Sequence, residues 1–466
     1  MGRKWLKYSF LLVLIPFGIG IGGVVQGNNV SAGELDEVKW QLKQMEEMFA
    51  RQQEQMQALR DRLEDMEREA ASVAKEEVKQ TIEESRFVTK EETEQVVRDY
   101  FSTEEARNLM AVGMPDITIK YTPEDKKTAL QIATTDGRYS LGIGGRLQMR
   151  YTYKDQDSDF GEEDKQNIDV RRARINFGGN IYSKDVHYYM EFDGDKFDVG
   201  VRDFYVYWTP AAELNTKVGY FKVPFNRQRV TSSSALLFQD RSIASEFFDQ
   251  DRDYGVDVYG KPFEGKMEYH VAMFQGAGED EEDWDDGKDN FDNELMYVVN
   301  LRYNPFGKYN YFDETDLEYS EKLKATIGAA VTFNAKKKDE KQEEFNNVAA
   351  VADLGVKYRG LSWNSEYYLM SRDPESGGSS LDSEGFFTQL GCFVLPEKLE
   401  LAGRFSMVDP DTDISSDIQR EYTFGVNYYL RNHRSKVNVD FAHLVTETDT
   451  EDEDENRFKV QYQIMF

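Results

Sequence analysis

The chain has 466 residues, a formal charge of −30, 39% hydrophobic and 13% aromatic residues, one cysteine and four histidines. So acidic a protein lacks the basic face with which a nucleic-acid binder displaces counterions, which excludes nucleic acid as a partner. The lone Cys392 excludes an internal disulfide or a cysteine-rich metal centre, and His187, His270, His433 and His443 show no metal-ligand spacing, so neither a metal nor a cofactor is expected.

Residues 1–32 begin with Arg3, Lys4 and Lys7, continue as an apolar stretch and end in "VSA", with Val30 and Ala32 at the small-residue positions that a signal peptidase prefers. This predicts a signal peptide; a retained membrane anchor is the rival reading. From 33 to 110 the composition is helical. Leu35, Val38, Leu42, Met45, Phe49, Gln52, Met56, Leu59, Leu63 and Met66 fall on a three-four beat with charged residues between them and no glycine or proline. That narrow seam predicts an α-helical coiled coil that joins copies of the chain, with Gln52 as the polar seam residue that fixes register. The beat is lost after residue 70, Pro115 ends the helix, and 111–138 reads as a connector with short extended pieces.

From 139 to 466 the period changes to two. In "LGIGGRLQMRYTY", Leu141, Ile143, Leu147, Met149, Tyr151 and Tyr153 share one face, while Arg146, Gln148, Arg150 and Thr152 share the other. Sixteen such segments start near residues 141, 168, 185, 201, 215, 254, 266, 295, 323, 348, 361, 385, 398, 420, 435 and 456. Most match the length that a tilted strand needs to cross a bilayer. Short connections ("SKD", "TPAAEL", "KPFEGK", "YRG", "LPEK", "NHRS") alternate with long acidic ones such as "GAGEDEEDWDDGKDN" and "ETDTEDEDEN". An even number of strands joined by alternating short turns and long loops predicts an all-β transmembrane fold, a 16-stranded antiparallel outer-membrane β-barrel preceded by the coiled coil. One long turn on the short side, 305–322, interrupts the pattern. The final strand, "RFKVQYQIMF", alternates to its last residue because it must pair with the first strand, and an open ladder in hydrocarbon would leave backbone groups unsatisfied.

"GGRLQMRYTY", "DVRRARINFGGNIY", "YYMEFD", "DFYVYW", "VGYFKVPFNRQ" and "DRSIASEFFDQDRDYGVDVYG" together resemble the phosphate-selective porin O and P family of Gram-negative bacteria, most densely over 139–276. The resemblance implies a homotrimer with a periplasmic amino-terminal coiled coil and a third outer loop folded into the lumen. It also implies a C-terminal signal, here Tyr462, Ile464 and Phe466, for the barrel assembly machinery. The third outer loop, about 224–253, carries Leu236, Leu237, Phe238, Phe247 and Phe248, apolar groups that inward folding would bury.

Such folding brings Arg227, Arg229, Arg241 and Arg252 of the loop, with Lys222 before it, toward Arg146, Arg150, Arg172 and Arg174 on the polar faces of the first two strands. Guanidinium forks lining a narrow pore suit phosphate oxygens, and several weak sites allow exit as well as entry. The expected function is a water-filled channel for small anions such as phosphate. Two alternatives stand beside it. Nearby Glu191, Asp193 and Asp203 could neutralise the arginines and leave a general, cation-tolerant porin, with a bulge at Arg171 or Arg172 exchanging which of them faces inward. Alternatively the coiled coil could be the working part, a tether toward peptidoglycan or another periplasmic partner. The acidic loops are read as solvated mouths, with divalent bridging to lipopolysaccharide as the other possibility. No G-x-S-x-G turn is present, and "GIGG" at 142–145 sits inside a strand, where small residues facing the lumen explain it better than a phosphate loop. No enzyme is expected.

Overall fold

The structure, a computed structural model, describes Lys43 and residues 117–121, 129–157, 163–194, 199–276, 294–336, 345–375, 378–449 and 452–466. The expected signal peptide and the seam from Leu35 to Met66 lie outside the described residues. The chain divides into two units, Met1–Val112 and Gly113–Phe466, and every described strand belongs to the second.

Alternating apolar and polar side chains over the second unit give one strand after another. Two short ones, β1 (Ile117–Tyr121) and β2 (Leu130–Thr134), precede β3 (Ser140–Asp157), β4 (Glu163–Asn180), β5 (Val186–Asp193), β6 (Gly200–Ala211), β7 (Leu214–Lys222) and β8 (Arg252–Gly260). Then come β9 (Met267–Phe274), β10 (Met296–Tyr303), β11 (Lys324–Lys336), β12 (Phe345–Tyr358), β13 (Leu361–Pro374), β14 (Leu381–Leu395), β15 (Leu399–Asp409), β16 (Gln419–Arg431), β17 (Ser435–Thr446) and β18 (Glu453–Met465). No start from β3 onward differs by more than five residues from the position the alternation predicts, the largest offset being Glu163 against 168.

Each strand from β3 to β18 pairs antiparallel with its neighbours, and β18 pairs with β3, with Phe458 opposite Tyr153 and Tyr462 opposite Met149, so the sixteen strands close. Closure runs to the last residue. The Phe466 N–H donates to the Gly145 carbonyl at 3.0 Å, and the Gly145 N–H donates to the Phe466 carbonyl at 2.9 Å. Tyr462, Ile464 and Phe466 face outward and are exposed, as a lipid face requires. The Phe466 ring covers Gly145 where a Cβ would collide with it, so this glycine of "GIGG" serves the outer face rather than the lumen. Gly145→Val and deletion of Phe466 should therefore lower the folded fraction alike, read as loss of the compact band on an unheated gel.

The inward faces are buried as well, because two connections fill part of the lumen. Loop L3, residues 223–251 between β7 and β8, contains two short helices, α1 (Arg227–Val230) and α2 (Ile243–Phe247). Its Phe225, Ala244 and Phe248 join lumenal Val298, Val351, Met370 and Phe387 in one apolar core, and Leu237 and Phe238 pack on Ala402. Phe248 stacks on Tyr368 with centroids 5.1 Å apart and planes 2° from parallel. The wall leaves room through glycine: a Cβ at Gly385 would lie 2.6 Å from the Phe248 ring, and one at Gly425 would lie 2.9 Å from Phe238. Phe248→Ala is expected to cost about 3 kcal/mol. Its signature is new protease cleavage within L3 while the barrel stays intact.

The long turn on the short side, 304–323, also folds inward. Tyr309, Tyr311 and Asp313 to Asp316 are buried, and the turn meets L3: Thr231 Oγ1 donates to Tyr311 O at 3.1 Å, and the Glu314 N–H to Ala235 O at 3.1 Å. The break in the turn-length pattern is thus a second filler of the lumen.

Candidate pore constriction

L3 crosses the lumen because acids on the far wall accept from its backbone N–H groups. Glu366 on β13 takes the N–H of Arg227 at 3.0 Å and of Gln228 at 2.8 Å, two groups in the first turn of α1 that the helix itself cannot satisfy. Glu421 on β16 does the same for Ile243, the first residue of α2, at 3.0 Å. Asp440 on β17 accepts from Gln239 at 2.8 Å, and Glu314 of the inward turn accepts from Leu237 at 2.7 Å. These contacts fix L3 against strands on the opposite side of the barrel from those that bear it.

All nine basic residues expected at the pore lie on this inner surface, but in three different situations. Five are ion-paired. Arg150 meets Asp240 at 2.9 Å; Arg174 meets Glu191 at 2.8 Å and Asp193 at 2.6 Å; Arg227 meets Asp353 at 3.2 Å. Arg229 pairs with Asp249 at 2.7 Å and with Asp251, and Arg252 with Asp203 at 3.3 Å. Two others serve the backbone. Lys222 Nζ donates to the carbonyls of Arg229, Val230 and Thr231, and Arg241 to those of Gln228, Arg229 and Thr231, so both satisfy the carbonyl end of α1.

Arg146 and Arg172 are the third case. Each is only 6% exposed and has no carboxylate within 4.0 Å among the described residues. Arg146 donates to Ser232 Oγ of L3 at a long 3.3 Å, and its Nε has no partner; Arg172 donates to Gln148 Oε1 at 3.0 Å. The register places Arg146 opposite Arg174 and Gln148 opposite Arg172, and a one-residue bulge at Arg171 shifts the phase, so that Arg172 and Arg174 face inward while Val170, opposite Met149, faces outward. Across from them, Ser232 and Ser234 share a hydroxyl contact of 3.0 Å.

Several charged partners were not singled out from the sequence. Lys459 on β18 reaches Asp240 at 2.7 Å, Arg404 on β15 pairs with Glu421, and Arg302 on β10 grips Asp353 through both nitrogens, at 2.6 and 3.0 Å. Their positions on the polar phase of their strands carried the signal; what concealed them was that their partners sit on other strands or on L3. The charged lining of a cleft beside the loop is Arg241, Arg404, Arg457 and Lys459 against Asp240, Glu421 and Asp440, and Arg171 and Arg172 also act on Asp240 electrostatically. Cations outnumber acids around this cleft. Among the described residues no group of His, Cys, Asp and Glu could hold a metal ion.

The model of the family described as phosphate-selective porin O and P matches residues 142–466. An uncharacterized protein of Aquifex aeolicus (strain VF5) is 25% identical over 298 residues, 59% of this chain and 70% of its own length. Porin O of Pseudomonas aeruginosa is 28% identical over 230 residues, which make up 46% of this chain and 50% of Porin O, so the match spans half of that relative. Among solved structures, the anion-selective porin from Comamonas acidovorans superposes with a TM-score of 0.52 at 11% identity, covering 70% of this chain and all of that one. The outer membrane channel DcaP of Acinetobacter baumannii gives 0.51 at 14% identity, over 72% of this chain and 99% of that one. At such identities these two likenesses concern the fold alone. Barrel and family together make this a channel of the bacterial outer membrane rather than an enzyme, and the chain belongs to the phosphate-selective porin O and P family.

Proposed function

We propose that the channel prefers anions and holds phosphate at the constriction, between Arg146 and Arg172 of the wall and Ser232 and Ser234 of L3. The observation that carries this reading is the pair of buried guanidinium groups with no carboxylate within 4.0 Å among the described residues, one with an unsatisfied Nε, facing two hydroxyls, while Glu191 and Asp240 act on them only from farther away. A buried cation without a direct ion pair is costly unless something mobile supplies one. An oxyanion there would take N–H donors from two arginines, which favour planar oxygen pairs, and O–H donors from the serines. Arg241, Arg404, Arg457 and Lys459 beside the loop form the approach, and their partial neutralisation by Asp240, Glu421 and Asp440 keeps any one step from binding too tightly to release. The short-turn end is taken to face the periplasm, with residues 33–110 joining three copies into a homotrimer.

The second reading, a general porin with a transverse field, is favoured by the five ion-paired arginines. Phosphate titrated against the chloride current of single channels distinguishes the two. Saturable block at low phosphate supports the site, whereas a current that follows ionic strength alone supports the general porin.

A further inference from the structure

The β1–β2 hairpin precedes the barrel and takes no part in closing it, yet it is bonded to the barrel's first strand. β18 stops at Gly145, and β2 takes over the edge of β3 that lies beyond it, with Leu130 opposite Ile143 and Ile132 opposite Leu141. β1 pairs in turn with β2, with Tyr121 opposite Leu130, Ile119 opposite Ile132 and Ile117 opposite Thr134. Directly opposed residues share a face, so the register decides where these side chains belong. Leu141 and Ile143 are in phase with Leu147 and Met149, on the lipid side of β3. Ile117, Ile119, Tyr121, Leu130 and Ile132 therefore lie on the outward side, continuous with the lipid belt.

Among the described residues that face bears no charge. It is also unusually bare: Ile119 is 69% and Tyr121 67% exposed, far more than a two-stranded ribbon leaves in water without cause. Lys120 and Gln131 oppose each other on the reverse face. Leu141 and Ile143 lie four and two residues beyond the Phe466 contact, about 13 and 7 Å along the strand toward its short-turn end. An apolar face with a tyrosine at its far edge and a lysine behind it has the composition of an interfacial element.

We propose that the hairpin is a membrane-binding skirt whose outward face docks on the lipid of the leaflet at the short-turn end. Its occupant is lipid rather than a second protein surface because the face continues the lipid belt without a break and, among the described residues, presents no polar group for a partner to pair with, apart from Thr134 and the Tyr121 phenol. The test uses the full chain with its single cysteine removed (Cys392→Ala) and an environment-sensitive fluorophore attached at Ile119→Cys, Tyr121→Cys or Lys120→Cys, reconstituted in phosphatidylcholine vesicles. Labels at 119 and 121 should lose about half their emission to doxyl-labelled phospholipid and little to aqueous iodide, and the label at 120 the reverse. Iodide quenching at all three positions would overturn the proposal by placing the face in water. Shielding of 119 and 121 from both quenchers would overturn it too, because protein would then cover the face. An unheated gel confirms that each labelled variant is folded, and Ile117→Cys supplies a further outward site should either label disturb the hairpin.

Discussion

Replacing Arg146 and Arg172 together by glutamine should abolish phosphate block, raising the half-blocking concentration at least about a hundredfold if each guanidinium contributes roughly 1.5–3 kcal/mol to a charged ligand. The barrel should tolerate the change, since neither side chain holds a wall carboxylate and glutamine keeps a donor for Ser232 Oγ and Gln148 Oε1. Arg174→Gln should behave differently. It strips Glu191 and Asp193 of the cation that binds both, leaving Asp193 only Arg202 at 3.6 Å, so it should shift selectivity toward cations and destabilise the wall together. Phosphate titration of single channels bearing each variant reads both effects. A double variant with an unaltered half-blocking concentration would move the site elsewhere.

Loosening L3 should have the next largest effect. Glu366→Ala removes an acceptor from two N–H groups of α1, and Asp440→Ala removes that of Gln239. A buried N–H left without a partner costs about 1–3 kcal/mol, so three of them outweigh most of what one stacked phenylalanine contributes. The double variant should show a larger and noisier single-channel conductance as L3 leaves the wall. Glu366→Gln, which retains one acceptor oxygen, should fall between it and the native channel. Unchanged conductance in the double variant would mean that the apolar contacts of Phe248, Leu237 and Phe238 alone hold the loop.

Much of this architecture is legible from the residues. Strand period, turn lengths and the terminal aromatic suffice for the barrel because lipid on one side and water on the other impose alternation, as at Leu147, Gln148 and Met149. The apolar run Leu236 to Phe238 likewise signals an inward loop. The pairing of charges is less legible. Asp240 is near Arg150 and Lys459 only because L3 carries it across the lumen, and contacts between residues 90 and 219 positions apart leave no mark on local pattern. The inward course of 304–323 looks like a broken turn rule because its buried Asp313, Glu314 and Asp316 look like surface residues until their partners, among them His433, the Leu237 N–H and Ser320, are in place. Gly385 and Gly425 are similar cases, since a strand glycine reads as weakness until the ring that fills its space is known.

The central claim, an anion-preferring constriction, is tested most directly by the zero-current potential of the purified channel in a planar bilayer under a KCl gradient. The arginines without carboxylates predict a potential displaced toward the chloride equilibrium value. Displacement toward the potassium value would contradict the account, because it would show that the lumenal acids, and not Arg146 and Arg172, set the field that a permeating ion meets.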